Sequence, residues 1–68
     1  MINITPMSHG SNIHTIQVIG FRKVVGRVFD YLMDNNVPFY YCNRDKHKVT
    51  AVFYTSDLDI ILTAKLMS

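Results

Sequence analysis

The chain lacks the covalent and metal-binding residues with which very small proteins often stabilise their folds. It has 68 residues and a single cysteine, Cys42, so no disulfide can form within one copy. A structural zinc site usually takes four ligands, and besides Cys42 and carboxylates the chain offers His9, His14 and His47. His9 and His14 have a tolerable spacing, but no Cys-x-x-Cys pair accompanies them. We therefore expect no bound metal and no other cofactor.

The sequence also lacks any apolar run of the roughly 20 residues that a membrane-spanning helix needs. Residues 1–6 contain no basic stretch followed by an apolar one, which a secretory signal would show. A single unpaired cysteine suits a reducing compartment. Together these absences predict a cytoplasmic protein that does not contact membranes.

Glutamate is absent, and the net charge is only +2. A mild positive charge permits nucleic-acid binding without requiring it. Alanine is scarce, whereas asparagine, isoleucine and tyrosine are frequent, and such usage often accompanies AT-rich coding sequence, as in many phages. The composition therefore suggests, as a hypothesis, a phage or mobile-element protein that modulates a host protein.

An α+β domain is predicted over residues 13–68, and residues 1–12 precede it as a segment read as a short edge strand or a loop. His14–Ile19 alternates as a strand does, with Ile16 and Val18 on one side. The strand is expected to end at Gly20, because glycine weakens a strand interior.

Two helices are predicted from hydrophobic periodicity. Phe21–Met33 follows the helical i, i+3, i+4, i+7 spacing, and either Asn35 or Asn36 can take a left-handed cap at its end. A second helix is expected to begin after Ser56, read as the N-cap, and to run to about Leu66. Its apolar residues surround most of its circumference, so it needs cover on two sides.

A β-hairpin is predicted where two aromatic-rich runs, 39–42 and 49–54, flank the charged residues 43–48. With Asp45 and Lys46 at the tip, Cys42 pairs with Val49. One face then carries Tyr40, Cys42, Val49, Ala51 and Phe53, and the other carries Phe39, Tyr41, Thr50, Val52 and Tyr54.

The element order is strand, helix, strand, strand, helix. A right-handed crossover predicts a three-stranded sheet with both helices on one face. This order resembles a ferredoxin-like unit that lacks its last strand, as in small regulatory domains of the ACT type and in RNA-recognition modules. The resemblance covers residues 13–67 and consists of element order alone.

The second hairpin face is the predicted site for a protein partner, and its proposed contact residues are Phe39, Tyr41, Val52 and Tyr54. Such an apolar patch approaches the upper range found on monomers. At this length the core is marginal, which favours oligomerisation. We therefore expect a non-enzymatic binding protein that occupies a protein partner and forms a homodimer through the open face or an exposed strand edge. The alternative is that Met1–Met7 folds across the face and covers it.

Single-stranded RNA or DNA binding is the alternative function. Its candidate residues are the cations of the hairpin tip and of the first helix: Arg44, Lys46, Lys48, Arg22, Lys23 and Arg27. Tyr41 and Tyr54 would stack on bases. The RNA-recognition signature, read from Lys48, matches only at Lys48 and Ala51. A ligand-sensing regulatory domain is a third reading, and no catalytic residues are expected, since Cys42 is predicted to be a core residue.

Overall fold

Four antiparallel strands and two helices make up the described part of the chain, residues 1–7 and 12–67, in a computed structural model. The strands are β1 (Ile2–Pro6), β2 (His14–Phe21), β3 (Phe39–Arg44) and β4 (Lys48–Thr55), and the helices are α1 (Arg22–Asp34) and α2 (Leu58–Met67). The predicted α+β class is confirmed, and the sheet has one strand more than predicted.

The additional strand is β1, which corrects the predicted three-stranded sheet. The strand order is β1-β2-β4-β3, and β1 lies antiparallel to β2 with Ile2 opposite Val18 and Ile4 opposite Ile16. Both isoleucines of β1 pack against the core, and Pro6 is tolerated because the strand is at an edge. The main chain of this segment therefore widens the sheet and does not cross its open face.

The strands β2 and β3 run parallel to each other on either side of β4, to which each is antiparallel. This is the split β-α-β arrangement. Both helices pack on one side of the sheet, and the core comprises Ile16, Val18, Val25, Val28, Phe29, Leu32, Val37, Val49, Ala51, Phe53, Ile61 and Ala64. Phe29 of α1 meets Phe53 of β4 edge to face, with ring centroids 5.8 Å apart.

Helix α1 begins one residue later than predicted and ends as predicted. Phe21 is the N-cap and the last residue of β2. Its ring is exposed, whereas the periodicity predicted it on the apolar side of the helix. At the other end Asn36 takes the left-handed conformation, φ 56°. The amide of Asn36 donates to the carbonyl of Met33, and the amide of Val37 donates to that of Leu32. These two bonds form a Schellman cap.

The hairpin register differs by two residues from the prediction. Cys42 pairs with Ala51 instead of Val49, and the tip is Lys46 and His47. The reason is the side chain of Asp45, whose Oδ1 accepts hydrogen bonds of 2.7 Å from the amides of both His47 and Lys48. These hydrogen bonds place the turn at Lys46 and His47, one residue later along the chain than predicted. A shift of two leaves Cys42 on the helix side of the sheet.

A β-bulge in β3 corrects the predicted position of two aromatic residues. Phe39 pairs with Phe53, and Tyr41 pairs with Val52, so Tyr40 is the extra residue. Phe39 therefore lies on the helix side, where its ring centroid is 5.9 Å from that of Phe53. Tyr40 lies on the open side, where the prediction had placed Phe39.

The start of α2 is capped by Asp57 instead of Ser56. The Oδ1 atom of Asp57 accepts hydrogen bonds from the amides of Asp59 at 2.9 Å and Ile60 at 3.4 Å. Both aspartates thus lie at the helix start, where the helix dipole favours negative charge.

Candidate binding surfaces

The side of the sheet opposite the helices is the first candidate surface, here called the open face. It presents Thr15, Gln17, Ile19, Tyr40, Tyr41, Asn43, Thr50, Val52 and Tyr54. None of these side chains carries a charge at neutral pH. On β3, Tyr40 and Tyr41 are about half exposed, and Asn43 is exposed as well. The residues of this face that β2 and β4 contribute are half-buried. The open face is thus neutral except for Lys48, which stands on the same side at the start of β4, and it has an aliphatic centre around Ile19 and Val52.

Tyrosines cluster at one end of the open face. The rings of Tyr40 and Tyr54 pack against each other with centroids 4.6 Å apart and an angle of 31°. The hydroxyl of Tyr40 donates to the Sδ atom of Met7 at 2.9 Å. Tyr41, Val52 and Tyr54, three of the four predicted partner contacts, therefore share this face. Tyr40 was missed, because a run of four apolar residues gives no alternation from which a bulge could be predicted.

A second candidate surface lies where the hairpin tip meets the start of α1. The amide of Arg22 donates to the carbonyl of His47 at 2.8 Å, and this bond holds the tip against the helix. A cleft of about 270 Å³ lies between them and is lined by Phe21, Arg22, Lys23, Lys46 and His47. Next to it the Nζ atom of Lys48 lies 5.6 Å from the ring centroid of Phe21. We call Arg22, Lys23, Lys46 and Lys48 the basic cluster.

Two predicted nucleic-acid contacts lie outside the basic cluster. Arg44 pairs with the buried Val49, so it points to the helix side, where its guanidinium lies 5.7 Å from the ring centroid of Phe29. Arg27 is exposed on α1 and does not line the cleft. Phe21 had been assigned to the helix by periodicity, so its position beside the cations was not predicted.

The basic cluster and the tyrosines are at opposite ends of the sheet. Lys48 begins β4 and Tyr54 stands near its end, and six residues of extended strand span about 20 Å. The aliphatic centre of the open face lies between them. The two surfaces are therefore continuous along β4 but chemically distinct.

Two ionisable residues of the hairpin, Asp45 and Cys42, are engaged in the turn and against the core. Hydrogen bonds from the amides of Lys48 and His47 hold the pKa of Asp45 below its ordinary value. Cys42 is half-buried on the helix side, opposite Ala51. Among residues 1–7 and 12–67, no three His, Cys or acidic side chains group together as metal ligands, and His9 lies outside these ranges.

The comparisons with known proteins find no matching family model, no matching curated protein and no matching solved structure. Within the described ranges, no helix is long and apolar enough to cross a membrane. The candidate surfaces are therefore interpreted from their own chemistry.

Proposed function

We propose that the protein is a non-enzymatic binding protein that occupies a protein partner through its open face. The observation that carries the proposal is the tyrosine-edged surface of this face, which is neutral except for Lys48 at one end and which neither helix covers, because both pack on the other side of the sheet. The hypothesis of a phage or mobile-element source rests on composition and stays a prediction.

The size of the open face suits a protein interface. The eight residues of β4 extend over about 27 Å, and four strands at a spacing of about 4.8 Å span roughly 19 Å. These lengths enclose roughly 500 Å² of projected area, so the face supplies a large part of the about 800 Å² of accessible surface per partner that a typical interface buries.

The chemistry of the face also favours protein. Interface centres are depleted of charge and enriched in tyrosine, which offers a large contact area and a hydroxyl that can stay hydrated. Ile19 and Val52 provide the apolar centre, and Tyr41 stands beside it. A nucleic-acid platform would instead place freely accessible rings near cations. The exposed ring of Phe21 meets this condition beside Lys48, but the clustered tyrosines do not. Here Tyr40 and Tyr54 pack on each other, about 20 Å from Lys48.

Single-stranded nucleic acid remains the second candidate, and the basic cluster is the observation that favours it. Three cations, Arg22 and Lys23 of α1 and Lys46 of the hairpin tip, line one cleft, and Lys48 lies beside it. The nearest acid of the hairpin, Asp45, is engaged by the amides of its own turn. Several phosphates in succession could lie along this end of the sheet.

The partner hypothesis is tested by photo-crosslinking in cells of the source organism. A crosslinking amino acid at position 41 is expected to trap a defined partner, which is then purified and titrated with the wild-type protein. Tyr41→Asp should weaken that binding at least tenfold, because it places a charge in the interface. Val24→Asp makes the same type of change at an exposed site on α1, on the helix side of the sheet, and should have no effect. Equal binding by Tyr41→Asp and wild type would refute the proposal.

Nucleic-acid binding is tested by fluorescence anisotropy with labelled single-stranded oligonucleotides at several salt concentrations. Our proposal predicts affinities no tighter than the non-specific range of roughly 10⁻⁴ to 10⁻⁶ M. If the second candidate is correct, Lys46→Gln with Lys48→Gln should reduce the log-log salt slope by about 1.4, given about 0.7 per contact. Arg44→Gln is the matched control, because Arg44 points to the helix side. Submicromolar binding with this pattern would replace the first proposal by the second.

A further inference from the structure

The positive charge of the protein is concentrated at the cleft between the hairpin tip and α1. The basic cluster contributes four charges at this end and Asp45 subtracts one, which leaves +3 with His47 taken as neutral. The whole chain carries +2, so its remaining side chains together carry −1. An anion that approaches the protein is therefore drawn to this end.

The cations of the basic cluster have no acidic partner of their own. No carboxylate of residues 1–7 and 12–67 forms an ion pair with any of them, and the first turn of α1 contains no acidic residue. Arg22 and Lys23 also lie at the helix start, where the helix dipole disfavours positive charge. The cluster thus brings no stability to the free protein, and a bound anion would relieve its repulsion.

The size of the cleft indicates a small ligand group. Its volume of about 270 Å³ lies just below the range of roughly 300 to 1,000 Å³ that is usual for small-molecule pockets. It therefore accommodates a compact group and not a helix or a strand of a partner. A terminal phosphate carries about 1.5 to 2 negative charges at neutral pH, so it matches the charge of the cleft better than a single carboxylate does.

Phe21 adds a flat apolar surface to the same cleft. Its ring is 59% exposed and lines the cleft beside the Nζ atom of Lys48. A nucleotide carries both complementary groups, a terminal phosphate for the cations and a flat base for the ring. Stacking of a base on an aromatic side chain contributes roughly 5- to 100-fold in affinity.

We propose that this cleft binds a nucleotide, with the terminal phosphate among Arg22, Lys23 and Lys46 and the base against Phe21. The inference goes beyond the proposed function, because it assigns a small ligand to a surface other than the open face. It agrees with the third reading of the sequence, a ligand-sensing domain. A free nucleotide and the phosphorylated end of a strand share this chemistry, and the experiments below separate them.

NMR titration of the full, ¹⁵N-labelled chain with adenosine 5′-monophosphate at low salt tests the proposal. The amide signals of residues 21–23 and 46–48 should shift together. The dissociation constant should be about 0.1 to 1 mM, because exposed ion pairs each contribute little. Adenosine and inorganic phosphate, which each carry one of the two groups, should bind at least fivefold more weakly. Equal binding of succinate, a dianion without phosphate or base, would overturn the proposal, as would unshifted signals at about 10 mM nucleotide.

Substitutions separate binding from a structural role of the cations. Lys23→Gln with Lys46→Gln should weaken nucleotide binding at least tenfold and leave the melting temperature equal or higher, since Lys23 opposes the helix dipole. Arg27→Gln removes the same type of charge from α1 outside the cleft and should bind within about twofold of wild type. Phe21→Leu should remove the advantage of the nucleotide over inorganic phosphate. Unchanged nucleotide binding in the double variant, or lost binding together with a lower melting temperature, would overturn the proposal.

Two hexanucleotides, with and without a 5′-phosphate, identify the source of the ligand. Binding of the phosphorylated strand no tighter than that of the mononucleotide would assign the cleft to free nucleotides. Binding at least tenfold tighter, and only with the 5′-phosphate, would assign it to the phosphorylated end of a strand. Equally tight binding of both strands would overturn the proposal, because the phosphodiester backbone would then be the ligand, as in the second candidate function.

Discussion

The same substitution, glycine to alanine, should have opposite effects at two positions only six residues apart. Gly26 lies inside α1, and a Cβ atom added there meets nothing within 4 Å. Gly20 lies near the end of β2 with φ +150°, a conformation that residues with side chains rarely adopt. An added Cβ at Gly20 would also come within 3.3 Å of the N atom of Met1 and 3.4 Å of a Val25 methyl.

The magnitudes follow from these surroundings. Gly26→Ala removes backbone freedom from the unfolded chain and adds a better helix former, so it should raise the free energy of unfolding by about 0.5 to 1 kcal/mol. For a domain of this size this raises the melting temperature by roughly 2 to 8 °C. Gly20→Ala should lower the free energy of unfolding by about 1 to 3 kcal/mol, because it combines backbone strain with a tight contact.

Urea denaturation followed by circular dichroism measures both variants against wild type. Equal m-values would show that the same structure unfolds in all three proteins. A Gly26→Ala variant less stable than wild type would refute the reasoning, since the position would then be crowded or not helical. A Gly20→Ala variant as stable as wild type would refute the assigned conformation of the strand end.

Three further predictions concern the hairpin and the cap of α1. Asn36→Ala should lower the free energy of unfolding by about 1 kcal/mol, whereas Asn36→Gly should be close to neutral, since glycine accepts the left-handed conformation at φ 56°; thermal melts compare the two. The stability difference between wild type and Asp45→Ala should be full above pH 3.8 and should decline as the pH falls through the lowered folded-state pKa of Asp45. Urea titrations across pH 2 to 7 check this, and a difference that grows toward low pH would contradict it. Cys42→Ser should cost about 1 kcal/mol in urea denaturation, because a half-buried hydroxyl replaces a thiol packed on the core, and it should leave partner binding unchanged.

Local signals in the sequence predicted the helices well. The end of α1 was predicted because Asn36 is among the few residues suited to a left-handed cap, and the buried side of β2 because Ile16 and Val18 alternate with polar residues. The predicted first residue of α1 was wrong, because Phe21 matches the helical period by chance and belongs to the preceding strand.

The candidate surfaces were predicted less completely, because they depend on single residues that redirect the chain. The bulge at Tyr40 exchanged the faces of Phe39 and Tyr40, and a run of four apolar residues contains no signal for it. The turn formed by Asp45 moved the tip by one residue. Arg44 and Lys48 are both basic residues of the hairpin, yet the observed register sends one to each side of the sheet.

The strand β1 is first in the sequence, but in the sheet it occupies an edge position that a last strand could also fill. This strand comes first in the sequence, pairs with β2 at the sheet edge and also contacts α2, the last helix. A permuted chain that begins at β2, with a short linker from α2 to β1, would run strand, helix, strand, strand, helix, strand. That is the complete ferredoxin-like order, with every strand pair and register preserved. The N-terminal strand thus takes the place that a C-terminal strand would occupy.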